Sequence, residues 1–206
     1  MRMIDLSVDL FEGMTMFTGG YHAPFSSEIT GTYEDNGCLV HRLVLATHTG
    51  THIDAPAHFF QGAATIDQVP LDMLVGDCLV CRLQDIRENS HVIAGHISHL
   101  EVNQNVGVLI NTGWHRRWDS GGFYKDFPVF EPEAAQVLVD KGAKFIACDL
   151  PLGAEVHKIV LGAGRLLVEN LVNLDSIESD RIKLLALPLK VRGVDGAPAR
   201  VVAIVE

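Results

Sequence analysis

Residues 48–58 read His-Thr-Gly-Thr-His-Ile-Asp-Ala-Pro-Ala-His, which places three histidines and one aspartate within eleven positions. Nitrogen and oxygen ligands lie about 2.0–2.2 Å from a metal ion, so donor atoms on the same ion must converge closely. On a straight strand His48 and His52 would lie on the order of 13 Å apart, too far for one ion. These residues can share a metal only if the chain curls.

The residues between the histidines favour a curled loop over a helix. Thr49, Gly50 and Thr51 are poor helix formers. Pro56 disfavours helical geometry at Ala55 before it and stiffens the exit from the segment. Because Gly50 can adopt dihedral angles that other residues avoid, we expect a shaped loop that turns polar side chains inward. A lone histidine is more often structural, but this dense group favours a metal site.

Composition limits the class of protein. A chain of 206 residues can bury a sizeable core, and we expect residues 1–206 to form one domain. The net charge of −10 argues against a nucleic-acid partner, because phosphate binding needs a basic surface. No apolar run approaches the roughly 18 residues of a membrane span, and no signal-peptide pattern opens the chain. We therefore expect a cytoplasmic protein without a membrane partner.

The four cysteines, Cys38, Cys78, Cys81 and Cys148, are too few and too scattered for a disulfide framework. Cys78 and Cys81 match a C-x-x-C pattern, which redox and zinc sites also use. They lie in the apolar run 78–83, which is typical of a strand. Since residues three apart on a strand point to opposite faces, we interpret this pair as structural.

Apolar runs separated by turns predict an α/β fold in a single domain with a mixed sheet. Strands are expected at residues 4–6, 39–46, 78–83, 106–110, 145–148, 182–191 and 200–205, with a helix or turn at 65–75. The last two strands are expected to form a hairpin around a turn at residues 193–198. A helix from Glu131-Pro132 to Lys141 links two of these strands, which predicts a right-handed crossover and a parallel pair.

A long loop is expected over residues 9–37, and loops of that length are usually functional. Phe17, Tyr21, His22 and Phe25 lie within it, each as either surface packing or a substrate contact. Residues 39–46 would then deliver the chain from a rigid strand into the His48 segment.

A second polar group lies far along the chain. His157 stands in an apolar helical pattern, and Glu169 directly follows three apolar residues. A buried carboxylate without a partner would cost several kcal/mol or become protonated, whereas a metal would stabilise it. From the residues alone, His157 and Glu169 could equally be site or surface. His91, His96 and His99 are interpreted as surface histidines.

The stretch 48–58 matches at every fixed position the signature H-x-G-T-H-x-D-x-P-x-H of the cyclase family of metal-dependent hydrolases, which includes bacterial kynurenine formamidases and isatin hydrolases. The resemblance extends over most of the chain. Residues 4–7 resemble the family's opening strand, residues 111–114 its strand-end motif, and His157 with residues 169–171 its distal ligands.

The resemblance implies a role for each matched residue. His48, His52 and Asp54 would bind a first metal. Asp54 would bridge to a second metal bound by His157, with Glu169 touching both. The implied cofactor is a divalent metal, two zinc ions by preference, with manganese as the alternative.

His58 resembles the family's general acid/base, and an imidazole can take up and return a proton near neutral pH. The implied fold is a swivelling β/β/α (cyclase-like) domain, usually dimeric. One departure concerns the substrate. Kynurenine formamidases share a Pro-x-Trp-Pro-Gly-Asp-like loop, whereas this chain has Thr-Met-Phe-Thr-Gly-Gly at residues 15–20. Phe17 keeps an aromatic side chain there and is the candidate substrate-binding residue.

The leading hypothesis is a metal-dependent hydrolase acting on a C–N bond of a small amide, with an aryl formamide as the first substrate class. A variant uses the same site to open a cyclic amide, imide or lactone. A hypothesis of another class is a metal-binding protein without turnover, whose ions staple loops together. The expected partners are a small-molecule substrate and a second copy in a homodimer.

Overall fold

The computed structural model describes residues 1–20, 22–83 and 86–205. Within these ranges the chain forms 12 strands and 4 α-helices. The strands are β1 Arg2–Asp5, β2 Ser26–Gly31, β3 Val40–Val44, β4 His52–Asp54, β5 Val75–Arg82, β6 His91–Val92, β7 Gly107–Asn111, β8 Val129–Phe130, β9 Phe145–Cys148, β10 Leu166–Glu169, β11 Arg181–Pro188 and β12 Gly196–Val205. The helices are α1 Tyr33–Asn36, α2 Ala94–Ile97, α3 Pro132–Asp140 and α4 Ala154–Gly162.

Eight strands form one mixed sheet in the order β1-β12-β11-β5-β7-β9-β10-β4. Strands β5, β7, β9 and β10 run parallel, and the remaining pairs are antiparallel. Strand β4 also pairs with β12, so the sheet closes into a barrel-like arrangement. The α/β fold with a mixed sheet, predicted from the sequence, is confirmed.

The parallel part of the sheet is built from strand–helix–strand units. Strand β7, helix α3 and strand β9 form the crossover that the sequence predicts. Pro132 occupies the first turn of α3, where its missing N–H costs nothing, and Gly142 has a φ of +85° just beyond the helix. Helix α4 makes the next unit between β9 and β10.

Buried apolar residues form two clusters, one on each side of the sheet, because successive strand residues point to opposite faces. In β7, Leu109 belongs to the first cluster and Ile110 to the second, which also takes in residues of α3 and α4. Cys78 and Cys81 divide in the same way, and both are free thiols. Their opposite orientation agrees with a structural role.

One expectation about the first quarter of the chain was wrong. The predicted loop at residues 9–37 contains β2 and α1. The strand predicted at residues 39–46 is confirmed as β3, which pairs with β2 in a hairpin and exposes every one of its residues. It therefore leads toward His48 from outside the eight-stranded sheet. Tyr21, also in the predicted loop, lies outside the described residues.

The closing strands were predicted with different bounds. Strands β11 and β12 form the expected antiparallel pair, but β12 begins at Gly196, inside the segment expected to turn. That early start allows β12 to reach β4. Across residues 1–20, 22–83 and 86–205, every helix is too short or too polar to cross a bilayer.

Candidate active site

Strand β4 carries two of the predicted metal ligands. His52 and Asp54 are two residues apart, so both side chains point to the same face of the sheet, while Ile53 between them enters the first core cluster. Glu169 at the end of β10 lies directly opposite His52 in the antiparallel register. Glu169, which lies far along the chain, is thereby placed beside His52 and Asp54.

The turn before β4 brings His48 over the same face. Gly50 has a φ of +64°, as the sequence predicts for a residue with unusual dihedral angles. A Cβ at this position would lie 2.7 Å from Leu10 and 2.8 Å from Val8, so the turn leaves no room for a side chain. The curl expected for residues 48–58 is present up to Gly50, after which the chain becomes strand β4.

The Asp54 carboxylate lies at the centre of the cluster. It is fully buried, and three histidine nitrogens approach its oxygens. His48 Nδ1 is 2.6 Å and His52 Nε2 is 3.4 Å from Oδ1, whereas His157 Nε2 is 3.4 Å from Oδ2. His157 Nε2 is also 3.0 Å from Glu169 Oε1.

Each of these histidines binds an oxygen through its other ring nitrogen. His52 Nδ1 lies 2.9 Å from the carbonyl oxygen of Gly50, and His157 Nδ1 lies 2.9 Å from that of Gly153. His48 Nε2 lies 2.7 Å from a carboxylate oxygen of Asp195. Such partners fix the orientation of metal-binding imidazoles in proteins. All three rings are therefore held with one nitrogen directed at Asp54.

Unsatisfied buried atoms test whether a metal fits. Both carboxylate oxygens of Asp54 and Oε1 of Glu169 are buried, and among the described residues only the imidazole nitrogens of the cluster face them, with no hydroxyl, amide or backbone N–H donating to them. Leaving charged oxygens buried in this state is costly, so the site calls for a cation. Two groups have ligand atoms within 4.8 Å of one another, His48–Asp54–His58 and Asp54–His157–Glu169. The donor set of imidazole and carboxylate suits a divalent ion such as zinc or manganese.

The raised pKa values of His48 and His157 indicate a strongly negative electrostatic potential at the cluster. Burial lowers the pKa of His48, but Asp195 and Asp54 outweigh it and raise this pKa to about 9. Burial likewise opposes protonation of His157, yet Glu169 and Asp54 raise its pKa to about 11. The carboxylates that hold a proton on these rings also attract a metal cation, which would displace that proton.

His58 stands beside this cluster on a 3₁₀ turn, Pro56–His58. Its ring centroid is 4.0 Å from that of His48 and 5.5 Å from that of His157. Its Nδ1 lies 2.9 Å from Asp195 Oδ2, the atom that also binds His48. The geometry brings His58 to the site and leaves both roles available to it, metal ligand or proton carrier.

Asp195 was missed in the sequence. It lies in the turn predicted at residues 193–198, and the dipeptide Asp195-Gly196 is typical of such a turn. His48 and His58 donate hydrogen bonds that hold the pKa of this half-exposed carboxyl far below its usual range. The residue reaches the site because β12 pairs with β4, a contact between distant parts of the sequence.

A pocket of about 350 Å³ opens above the cluster and is walled largely by aromatic rings. Phe17, the predicted substrate-binding residue, lies on this wall with its ring edge-to-face against Tyr124 at 5.6 Å and His22 at 5.5 Å. Phe59 also lines the pocket and stacks on His157 with centroids 4.9 Å apart. Such walls suit a planar apolar ligand placed next to a metal.

Comparisons with known proteins identify the family of this chain. The family model described as "Putative cyclase" matches residues 4–152. A kynurenine formamidase of Polaromonas naphthalenivorans is 31% identical over 98% of this chain and 90% of its own length, and one of Salinibacter ruber is 29% identical over 98% and 97%.

Solved structures show the same fold. A potential metal-dependent hydrolase with cyclase activity has a TM-score of 0.81 and 29% identity, covering 98% of this chain and 96% of that one. Isatin hydrolase A from Labrenzia aggregata has a TM-score of 0.89 and 24% identity, covering 100% and 94%. The chain therefore belongs to the cyclase family and has the cyclase-like fold of these hydrolases.

Proposed function

We propose that this protein is a metal-dependent amidohydrolase that cleaves the C–N bond of a small aryl formamide. The observation that carries the proposal is the buried Asp54 carboxylate, whose two unsatisfied oxygens lie between three histidine nitrogens beneath an aromatic pocket. Relatives named kynurenine formamidase match nearly the whole chain and support the same substrate class. Residues 1–206 are proposed to act as one cytoplasmic catalytic domain.

The proposed cofactor is a pair of zinc ions, with manganese as the alternative. His48, His52 and Asp54 would hold the first ion, and Asp54, His157 and Glu169 the second. When bound, such ions lower the pKa of a water ligand and polarise a substrate carbonyl. The ligand atoms of His48, Asp54 and His58 also lie within 4.8 Å of one another, so His58 competes with His52 as third ligand of the first ion. The second prediction below separates a ligand role of His58 from a proton-transfer role.

His58 is assigned the proton transfers. Because Asp195 is an acceptor, His58 Nδ1 carries the hydrogen of the 2.9 Å contact and Nε2 keeps the lone pair. Nε2 can then take the proton of the attacking water and return it to the leaving aryl amine. Phe59, Phe17 and Tyr124 would hold the aryl ring against the pocket wall and exclude water around it.

A homodimer is proposed through the β2–β3 hairpin. Both strands are exposed over nearly their whole length, including Ile29, Val40, Leu43 and Val44. An isolated two-stranded hairpin is marginally stable in water, so a partner surface is needed to cover these side chains. A second copy is the simplest partner, since most oligomers of soluble proteins are symmetric and formed from one chain.

The first prediction concerns metal binding and pH. At neutral pH the metal-free site holds protons on His48 and His157, whose pKa values are about 9 and about 11. Metal must displace these protons, so affinity should fall by at least about tenfold for each pH unit lowered from 8 to 6. Chelator competition measures this directly. Activity should fall below about pH 6 for the same reason. An affinity that stays flat down to pH 5 would contradict histidine ligation.

The second prediction separates proton transfer from metal binding. His58→Ala should lower kcat by about 10²–10⁴-fold while metal content, measured by elemental analysis, stays at the wild-type level. Asp54→Ala should lose both metal and activity. The surface variants His99→Ala and Asp72→Ala serve as matched controls and should keep both. Loss of metal in His58→Ala would instead identify His58 as a ligand and refute its assigned role.

The third prediction concerns the substrate. Aryl formamides, cyclic imides and lactones are offered to zinc- and manganese-reconstituted protein, with Asp54→Ala as the blank for uncatalysed hydrolysis. We expect kcat/KM for the aryl formamide to exceed that of the other two classes by tenfold or more, about 1.4 kcal/mol of selectivity. Faster opening of a cyclic substrate would overturn the formamide assignment. Stoichiometric metal without any turnover would support a stapling role.

The fourth prediction concerns assembly. The variant Ile29→Glu/Leu43→Glu places charges on the exposed apolar hairpin, so a dimer formed there should dissociate because a buried charge is costly. Light scattering on eluting protein measures the mass before and after the change. The control Leu71→Glu alters an even more exposed apolar residue outside the hairpin and should leave the dimer intact. A monomeric wild-type protein would refute the proposal.

A further inference from the structure

One carboxylate oxygen of Asp195 binds two histidines that have different tasks in the proposed function. Asp195 Oδ2 lies 2.7 Å from His48 Nε2 and 2.9 Å from His58 Nδ1. His48 reaches Asp54 through its second nitrogen, whereas His58 lies beside the cluster and lines the pocket. The carboxylate therefore connects the candidate metal ligand with the candidate proton carrier.

The backbone holds this carboxylate in place through strand β4. The carbonyl oxygen of Asp195 accepts a hydrogen bond from the Ala55 N–H at 2.9 Å, and Gly196 pairs with Asp54 in the β4–β12 register. These two contacts fix the position of Asp195. A separate hydrogen bond at the other end of the turn runs from the Gly193 N–H to Asp67 at 2.9 Å.

Gly196 allows His48 to approach this closely. A Cβ on Gly196 would lie 2.9 Å from Cε1 of His48 and 2.7 Å from the carbonyl oxygen of Ile53. The second contact is with backbone, which cannot move without breaking the β4–β12 pairing. Position 196 must therefore be glycine for the Asp195 carboxylate to contact His48.

A carboxylate that only accepts hydrogen bonds determines where both imidazoles carry their hydrogen. Once metal has displaced the second proton of His48, each ring is neutral with one N–H, and both rings must direct it at Asp195. In that state His48 has its lone pair on Nδ1, the nitrogen on the Asp54 side. His58 is left with its lone pair on Nε2. One acceptor thereby selects the metal-binding tautomer of the first ring and the base-competent tautomer of the second.

We propose that Asp195 is a positioning residue which, by accepting hydrogen bonds from His48 and His58 together, couples metal affinity to proton transfer. The His58 half of this proposal rests on the proposed hydrolase function. The His48 half concerns only metal binding and holds for any metal-binding role. These two halves are measured by different experiments.

The test compares Asp195→Ala, Asp195→Asn and Asp67→Ala with the wild type. Asp67→Ala removes the anchor at the far end of the same turn without touching a histidine. Chelator competition gives zinc affinity, and kcat and KM at saturating zinc are measured on the best substrate of the screen. Spectra of ¹⁵N-histidine-labelled, zinc-loaded protein, assigned with His58→Ala, report which nitrogen of His58 carries the hydrogen.

Asp195→Ala should weaken zinc binding by about 10–100-fold, the usual effect of removing a partner of a metal-binding imidazole. At saturating zinc its kcat should still be about 100-fold low with little change in KM, because His58 loses its orientation. The spectra should lose the Nδ1–H form of His58. Asp195→Asn keeps an oxygen acceptor and should recover part of both losses, whereas Asp67→Ala should retain wild-type zinc affinity and kcat.

Several results would overturn the proposal. Wild-type zinc affinity in Asp195→Ala removes the His48 half, and an unchanged His58 tautomer removes the His58 half. If Asp67→Ala lost as much zinc affinity and kcat as Asp195→Ala, the losses would come from a disturbed turn and not from the contacts of Asp195 with the two histidines. A wild-type protein that hydrolyses no substrate would refute the proposed function, while the affinity and the spectra would still decide both halves for Asp195.

Discussion

A buried carboxylate faced only by imidazoles is the constraint on which the site depends. Asp54 is fully buried, and among the described residues no hydroxyl, amide or backbone N–H donates a hydrogen bond to its oxygens. A protein retains such a group only if something compensates its desolvation. Three imidazoles and the Glu169 carboxylate lie around it. Oxygen atoms of Gly50, Gly153 and Asp195 hold these three rings from the side away from Asp54. The site is therefore arranged in two layers around Asp54.

The sheet supplies these shells from distant parts of the chain. Strand β4 is only three residues long, yet it pairs with β10 on one side and β12 on the other. One neighbour contributes Glu169, and the other is preceded by Asp195. Helix α4 starts one residue after Gly153 and brings in His157 from its first turn. Closure of the sheet and completion of the site are thus the same event.

The sequence predicts the local chemistry well and the long-range packing poorly. The gathering of the polar side chains of residues 48–58, the turn at Gly50 and the β7–α3–β9 unit follow from residue type and spacing, because they depend on neighbours in the chain. Metal binding by residues 48–58 stays a prediction. His157 and Glu169 could be named only through the family resemblance, and their roles as ligands stay predictions. Asp195 lacks a distinguishing pattern, because Asp195-Gly196 looks like an ordinary turn sequence. The exposure of β3 could not be predicted, because apolar residues look alike whether they face a core or an exposed surface.

The double pairing of β4 has a consequence for how the protein folds. Its partners in β10 and β12 lie more than 100 residues further along the chain, so loop-closure entropy opposes both pairings until the rest of the sheet exists. The parallel units of β7, β9 and their helices are far more local and can form earlier. We therefore expect the ligand cluster to be the last part of the sheet to assemble, with metal entering a nearly finished molecule. Once bound, the metal would stabilise this last part of the sheet.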